Sequence, residues 1–216
     1  MNRTILERPV FDELIRRMAT EIRLAYRGQE LPVLIGIRTR GATLAVRIAK
    51  EMKRYSGVSQ IVVGFCDISF YRDDLSKIAD RPVLRGAPTE LPLNISLKDK
   101  SVLLIDDVLY TGRTTKAALD AIMEQERPRE VKLAVLIDRG HRELPIEANF
   151  VGKKIPTTDT EVIHVHCKED DGVDNVEISD NYGPSPLIDF QGIYCIKHRQ
   201  LLRECGCQHD VYGIKI

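Results

Sequence analysis

The sequence predicts an α/β fold with a central, mostly parallel sheet flanked by helices. Short apolar runs of strand length alternate with longer stretches in which apolar residues recur at helical spacing. One such unit is especially clear: the run Val102 to Ile105, a polar turn, a helical stretch, then the run Val131 to Ile137. A strand–helix–strand succession of this kind is expected to be parallel and right-handed. The 216 residues, 43% hydrophobic and 30% charged, supply enough apolar material for one α/β core with some length left over.

The elements follow in order. Phe11, Leu14, Ile15, Met18, Ala19 and Ile22 form one apolar stripe, with Arg16, Arg17, Glu21 and Arg23 between them, predicting an amphipathic first helix. Leu31 to Ile37 is too short for a helix, contains Pro32 and Gly36, and reads as a buried strand. Leu44, Ala45, Ile48 and Met52 predict a helix over Gly41 to Arg54, and Ile61 to Phe65 a second strand. Between Asp67 and Leu97 polar, Pro and Gly signals break the pattern, as in a mobile functional loop or hairpin. A strand Val102 to Ile105, a loop Asp106 to Thr114 and a helix Thr115 to Gln125 come next. Val131 to Ile137, Val162 to His166 and Val176 to Ile178 complete the strands.

Lys plus Arg and Asp plus Glu both number 32, so zero net charge argues against a generally sticky nucleic-acid binder but permits a local basic face. The charged N-terminus MNRTILERP is unlike a signal peptide, and no run reaches the ~20 apolar residues of a membrane span, so a cytoplasmic protein is expected. Five cysteines, an odd number, are expected to be free thiols there.

The most informative segment is VLLIDDVLYTGRTT, Val102 to Thr115. A helix N-terminus leaves its first amides unpaired and carries partial positive charge, so it can hold a phosphate. Gly112 permits close approach, Thr111, Thr114 and Thr115 add hydroxyl donors, and Arg113 lies among them. Asp106 and Asp107 would repel the phosphate and are better suited to accept hydrogen bonds from two ribose hydroxyls. A Thr-Gly cap after a buried strand is common by itself. Two acids, a glycine and three threonines in this order favour a ribose-phosphate site. No Gly-Lys-Ser/Thr follows, which argues against nucleoside triphosphate hydrolysis.

This loop resembles the phosphoribosyl diphosphate (PRPP) motif of the type I phosphoribosyltransferases. Four more stretches, GIRTRG (36–41), DISFYRDDLSK (67–77), AVLIDRGHRELPI (134–146) and VGKKIPT (151–157), resemble the pyrimidine-operon regulators that are also uracil phosphoribosyltransferases. The likeness runs nearly unbroken over residues 10–180. It implies a phosphoribosyltransferase domain over residues 1–180 with a small hood and a flexible β-hairpin loop, and leaves 181–216 as an extension of unknown role.

The resemblance also implies site residues. Thr39, Arg40 and Gly41 would bind the leaving diphosphate, where Arg40 and backbone amides meet developing charge; alone, this stretch reads sooner as an ordinary strand-to-helix turn capped by Thr39. Arg72, with Asp106 and Asp107 a candidate catalytic residue, would clamp the diphosphate from the mobile loop, and Arg85 would reach it from that loop's far end. Asp138, Arg139 and Ile163 would border the uracil pocket at the carboxyl ends of strands. No protein metal site is implied, because Mg²⁺ would arrive on PRPP. The reaction implied is uracil plus PRPP giving UMP and diphosphate.

The second activity implied is binding to pyrimidine-operon leader mRNA, with Arg16, Thr20, His141, Arg142, Lys153 and Lys154 as candidate contacts. RNA-binding relatives carry Thr and His on the first helix where this chain has Arg16 and Thr20. Three readings therefore stand: an active uracil phosphoribosyltransferase that also regulates transcription, a nucleotide-sensing RNA regulator with feeble catalysis, or a transferase for another base such as a purine. A homodimer or higher homo-oligomer is expected. In the tail, His198, Cys205, Cys207 and His209 fit no standard zinc spacing, and Gly183-Pro184-Ser185-Pro186 reads as a hinge into an apolar segment.

Overall fold

The computed structural model describes residues 2–54, 60–68, 89–90, 96–180, 194–195 and 200–201. Contacts divide the chain into Met1–Ser179 and Asp180–Ile216. In the second unit the described residues form one two-stranded pairing, Tyr194–Cys195 with Gln200–Leu201 antiparallel. Arg72, Arg85, the predicted hinge and the tail cysteines and histidines, apart from Cys195, lie outside the described residues.

In the first unit the strands are β1 (Asn2–Leu6), β2 (Val33–Ile37), β3 (Val63–Cys66), β4 (Thr89–Glu90), β5 (Ser101–Leu109), β6 (Glu130–Asp138), β7 (Phe150–Lys154), β8 (Glu161–His166) and β9 (Asn175–Asp180). The helices are α1 (Arg8–Ala25), α2 (Arg40–Lys53), α3 (Arg113–Gln125) and the single turn α4 (Lys168–Asp171). The main sheet has the order β4-β3-β2-β5-β6-β7. Strands β3, β2, β5, β6 and β7 are parallel, and short β4 lies antiparallel on the β3 edge. The α/β expectation holds, including the parallel pairing of β5 and β6 across α3.

Period-2 alternation sorts the strand side chains to two faces. Leu34, Leu103, Ile105, Ala134 and Leu136 face a core closed by α1 and α2. Val33, Ile35, Val102, Leu104 and Val135 face the other core, closed by Ala118, Ala121 and Ile122 of α3. The predicted stripes of α1 and α2 are the buried ones, Phe11 to Ile22 and Leu44 to Met52. Each fully buried Phe, Leu, Ile or Met of these stripes contributes about 1.5–3 kcal/mol by leaving water. Among the described residues no helix is long and apolar enough to cross a membrane.

Three features depart from the sequence expectation. Strand β5 runs on to Leu109, so Asp106 and Asp107 end a strand rather than open a loop; β6 continues to pair with it as far as Leu109↔Asp138. The turn is thereby cut to Tyr110–Gly112, and α3 begins at Arg113, before the predicted Thr115. Strands β1 and β7 had no prediction: β1 is mostly exposed and β7 short, so neither shows an apolar run. Strand β1 pairs antiparallel with β9 in a separate sheet, β1-β9-β8, which forms the hood.

Candidate active site

A cleft of about 320 Å³ opens at the carboxyl ends of β2, β5 and β6, beneath β8. Its lining includes Thr39, Arg40, Asp106, Asp107, Thr114, Arg139 and Ile163, which the structure therefore brings together. Ligand sites in parallel α/β sheets form at such strand ends.

The β5–α3 turn is built locally. Gly112 has φ +90°, a left-handed conformation that side chains adopt at a cost, and a Cβ there would meet Ile146 at 3.3 Å. The Thr111 hydroxyl accepts from the Arg113 amide (3.3 Å), and its carbonyl accepts from the amides of Glu143 (3.0 Å) and Leu144 (3.1 Å). Arg113 is paired with Glu143 at 2.6 Å, and Thr115 is buried, which leaves Thr111 and Thr114 half-exposed on the turn. Asp106 is buried and accepts from the Asp107 amide (3.0 Å); Asp107 in turn accepts from the Val108 amide (2.8 Å) through one oxygen, Oδ1.

The β2–α2 turn is built by close packing. A Cβ at Gly41 would stand 2.5 Å from the Ile105 carbonyl oxygen, and one at Gly36 would stand 2.4 Å from the Gly41 carbonyl oxygen. Both positions exclude a side chain, and the first turn of α2 consequently rests on β5 just before the Asp pair. The Arg38–Thr39 peptide is cis, and Thr39 makes no side-chain cap.

Arg40 is not free in the cleft. Its Nε and Nη2 donate to the two Asp171 oxygens at 3.1 and 2.8 Å. That hydrogen bond raises Arg40 above its ordinary range and lowers Asp171 to about 2. Two further rungs tie α2 to the segment around α4. Thr43 donates to Asp170 at 2.7 Å, and Arg47 holds Glu169 (3.0 Å) and Asp174 (2.6 Å). Burial opposes the Arg47 charge, but the hydrogen bonds to Glu169 and Asp174 outweigh it and raise the group. Positions 40, 43 and 47 share one helix face, which is what lets a single acidic segment meet all three.

Arg139 is buried, donating to the Thr157 hydroxyl (3.0 Å) and the Thr158 carbonyl (3.2 Å), with its guanidinium 4.0 Å from the Tyr110 ring centroid. It forms one wall of the cleft as a flat cationic shelf. Asp138 lies outside the cleft lining; it accepts from the Gly140 amide (3.0 Å) and from Arg142 (2.6 Å). Arg142 also donates to the carbonyls of Tyr110 (2.9 Å), Gly140 (3.0 Å) and Ile146 (3.0 Å), so its guanidinium is committed within the loop. His141 meets the Thr157 carbonyl (2.6 Å) and Asp159 (2.8 Å).

Of the RNA candidates, Arg16 is exposed and paired with Glu13 at 2.9 Å, and Thr20 donates to the Arg16 carbonyl. Lys153 and Lys154 are exposed at the end of β7, and Arg17 joins α1 to that strand through the Val151 and Gly152 carbonyls. Sequence reasoning missed Tyr110, His164 and Asp171. Tyr110 was inside the quoted loop without a role; His164 lines the cleft from β8 and bonds Ser179 at 2.8 Å. Asp171 gave no local signal, because its partner is remote in sequence.

A family model described as Phosphoribosyl transferase domain matches residues 1–171. The chain is 47% identical over 179 residues to the Bifunctional protein PyrR of Thermus thermophilus, covering 83% of this chain and 96% of that one. It is 49% identical over 176 residues to the Bifunctional protein PyrR of Clostridium beijerinckii, covering 82% and 96%. Among solved structures, a hypoxanthine-guanine phosphoribosyltransferase from Bacillus anthracis matches with a TM-score of 0.60 at 19% identity, over 82% of this chain and 98% of that one, a likeness of fold alone.

Proposed function

The chain belongs to the phosphoribosyltransferase family and, within it, to the bifunctional PyrR proteins, and from that premise we propose that it converts uracil and PRPP to UMP and diphosphate in the cytoplasm. The observation that carries this reading is the convergence of the Asp106–Asp107 strand end, the α3 N-terminus and the Arg139 shelf on one cleft.

In the proposed reaction the bond between the anomeric carbon and the diphosphate oxygen breaks, its electron pair leaving with the diphosphate. A uracil nitrogen forms the new bond to that carbon, and its proton passes to the departing diphosphate. The 5′-phosphate takes the amides at the start of α3 and the hydroxyls of Thr111 and Thr114. Asp106 and Asp107 accept from the ribose hydroxyls, and their charge favours the positive, oxocarbenium-like centre of the transition state. Arg40 faces the departing diphosphate, and Arg72 and Arg85 are assigned to the same group from the loop outside the described residues. Arg139, with Ile163 and its β8 neighbours, borders the base. Mg²⁺ arriving with PRPP would neutralise charge on the leaving diphosphate, and Asp107, which accepts from the Val108 amide through Oδ1, would be the nearby carboxylate available to it.

The proposal includes regulation of pyrimidine genes through leader mRNA by a homodimer or higher homo-oligomer. Its support is the exposed basic surface of Arg16 on α1 and Lys153 and Lys154 on β7, which Arg17 holds together. The decisive experiment measures diphosphate release from PRPP with Mg²⁺ and uracil, with hypoxanthine and guanine as competitors. Uracil-dependent release with UMP as product is expected; release driven by a purine instead sinks the assignment. A salt-dependent gel shift with the organism's own pyrimidine leader tests the RNA half, and binding that UMP does not tighten overturns the regulatory reading.

A further inference from the structure

Arg40 faces the leaving group in the reading above, yet its charge is engaged by a residue from the hood. A bidentate pair uses one edge of a guanidinium, here Nε–H and one Nη2–H, and leaves the Nη1 edge unspent. Asp171 is itself fixed: it accepts from the Cys167 amide at 2.9 Å, and its side chain is 17% exposed against 37% for Arg40. Arg40 still lines the cleft, close enough to Asp107 for that carboxylate to add to its raised pKa. The pair is also the cleft-side rung of three, with Thr43–Asp170 and Arg47–Glu169/Asp174 behind it.

We propose that Asp171 is a positioning residue for the transferase reaction, holding Arg40 by one edge so that the other edge meets the diphosphate. The inference rests on the proposed transferase function. A long arginine side chain at a cleft mouth samples many rotamers, and ordering it on binding weakens affinity. The hood carboxylate removes that freedom before ligand arrives. The rungs behind it make the acidic segment after β8 a strut between the base side of the cleft, where Ile163 and His164 lie, and the diphosphate side.

The test is a double-mutant cycle read by calorimetry with inorganic diphosphate and Mg²⁺, and by KM for PRPP and for uracil. Asp171→Asn is expected to weaken diphosphate binding and raise KM for PRPP by about fivefold, the cost of ordering one freed side chain. KM for uracil stays within about twofold on the same scale. In an Arg40→Ala background Asp171→Asn changes nothing further, since the residue it positions is gone. Asp170→Asn, which breaks the next rung, leaves diphosphate affinity at the wild-type value. Should Asp171→Asn not fold, Arg40→Lys, which keeps the charge but loses the bidentate edge, is expected to give the same fivefold loss.

Equal losses from Asp171→Asn in both backgrounds, or equal losses from Asp170→Asn, overturn the positioning role and leave the transferase reading intact. A wild-type protein that binds neither diphosphate nor PRPP overturns both.

Discussion

Two strand-to-helix turns flank the cleft and are made by opposite means. The β5–α3 turn holds itself: a left-handed Gly112, the Thr111 hydroxyl on the next amide, and a carbonyl buttressed by Glu143 and Leu144. The β2–α2 turn is held from outside, by Gly41 against the Ile105 carbonyl and by Arg40 on Asp171. A site made of backbone amides can be specified within one short segment. A site made of a long charged side chain needs a partner to keep it in place, and chain length puts no bound on where that partner comes from.

The largest effect tests the strand end between the two turns. Asp107→Asn keeps the shape and removes a charge that the proposed reaction sets beside the anomeric carbon, so turnover is expected to fall about 100-fold, the scale of one lost electrostatic stabiliser. Full turnover in that variant would remove Asp107 from the chemistry. Next is the packing of the outer-held turn. Gly41→Ala puts a methyl group 2.5 Å from a backbone oxygen, and chemical denaturation is expected to show a loss of about 1–3 kcal/mol together with weakened diphosphate binding. Gly112→Ala in the self-held turn should cost less, about 1–2 kcal/mol for the left-handed backbone, and act on affinity for a 5′-phosphate rather than for diphosphate. Equal effects of the two glycine variants on both anions would erase the distinction.

Acid gives a finer comparison. Asp171 is lowered to about 2 from an ordinary carboxylate value near 3.8, chiefly by the Arg40 hydrogen bond. Its stabilisation is therefore complete above the unfolded value and is lost as pH falls from about 4 toward 2. The stability gap between wild type and Asp171→Asn, followed by thermal melts, should be constant from pH 7 to about 5 and close near pH 2. A gap that closes near neutrality would point to a different group. The smallest effect is a lack of reaction. Burial pushes the Cys167 thiol up to about 12, so the native protein at pH 8 should resist alkylation there by peptide mass mapping.

The contrast between the turns also explains what could be read from the sequence. The parallel sheet, the stripes of α1 and α2, and the acid–Thr–Gly turn were legible because each depends on spacing within a few residues. Strand β1 was not: its burial pattern is mostly exposed, and it becomes a strand only by pairing with β9 at the far end of the unit. Asp107 could be nominated from its neighbours, but the length of β5 that carries it depends on β6 continuing alongside. Arg40 was nominated, while its partner Asp171, 131 residues on, sits in an acidic stretch that alone resembles any solvated turn. Arg142 was named as a candidate RNA contact; five acceptors from the loop and the ends of β5 and β6 occupy it.

The contact between Gly41 and Ile105 has one more consequence. Because the start of α2 touches β5 backbone to backbone, directly before Asp106, the separation between the two turns is set by main-chain atoms that no rotamer change can adjust. The two turns are therefore held like the jaws of a caliper of fixed gauge. On the proposed function, that gauge suits a ligand whose two charged groups flank one pentose ring, as the 5′-phosphate and diphosphate of PRPP do.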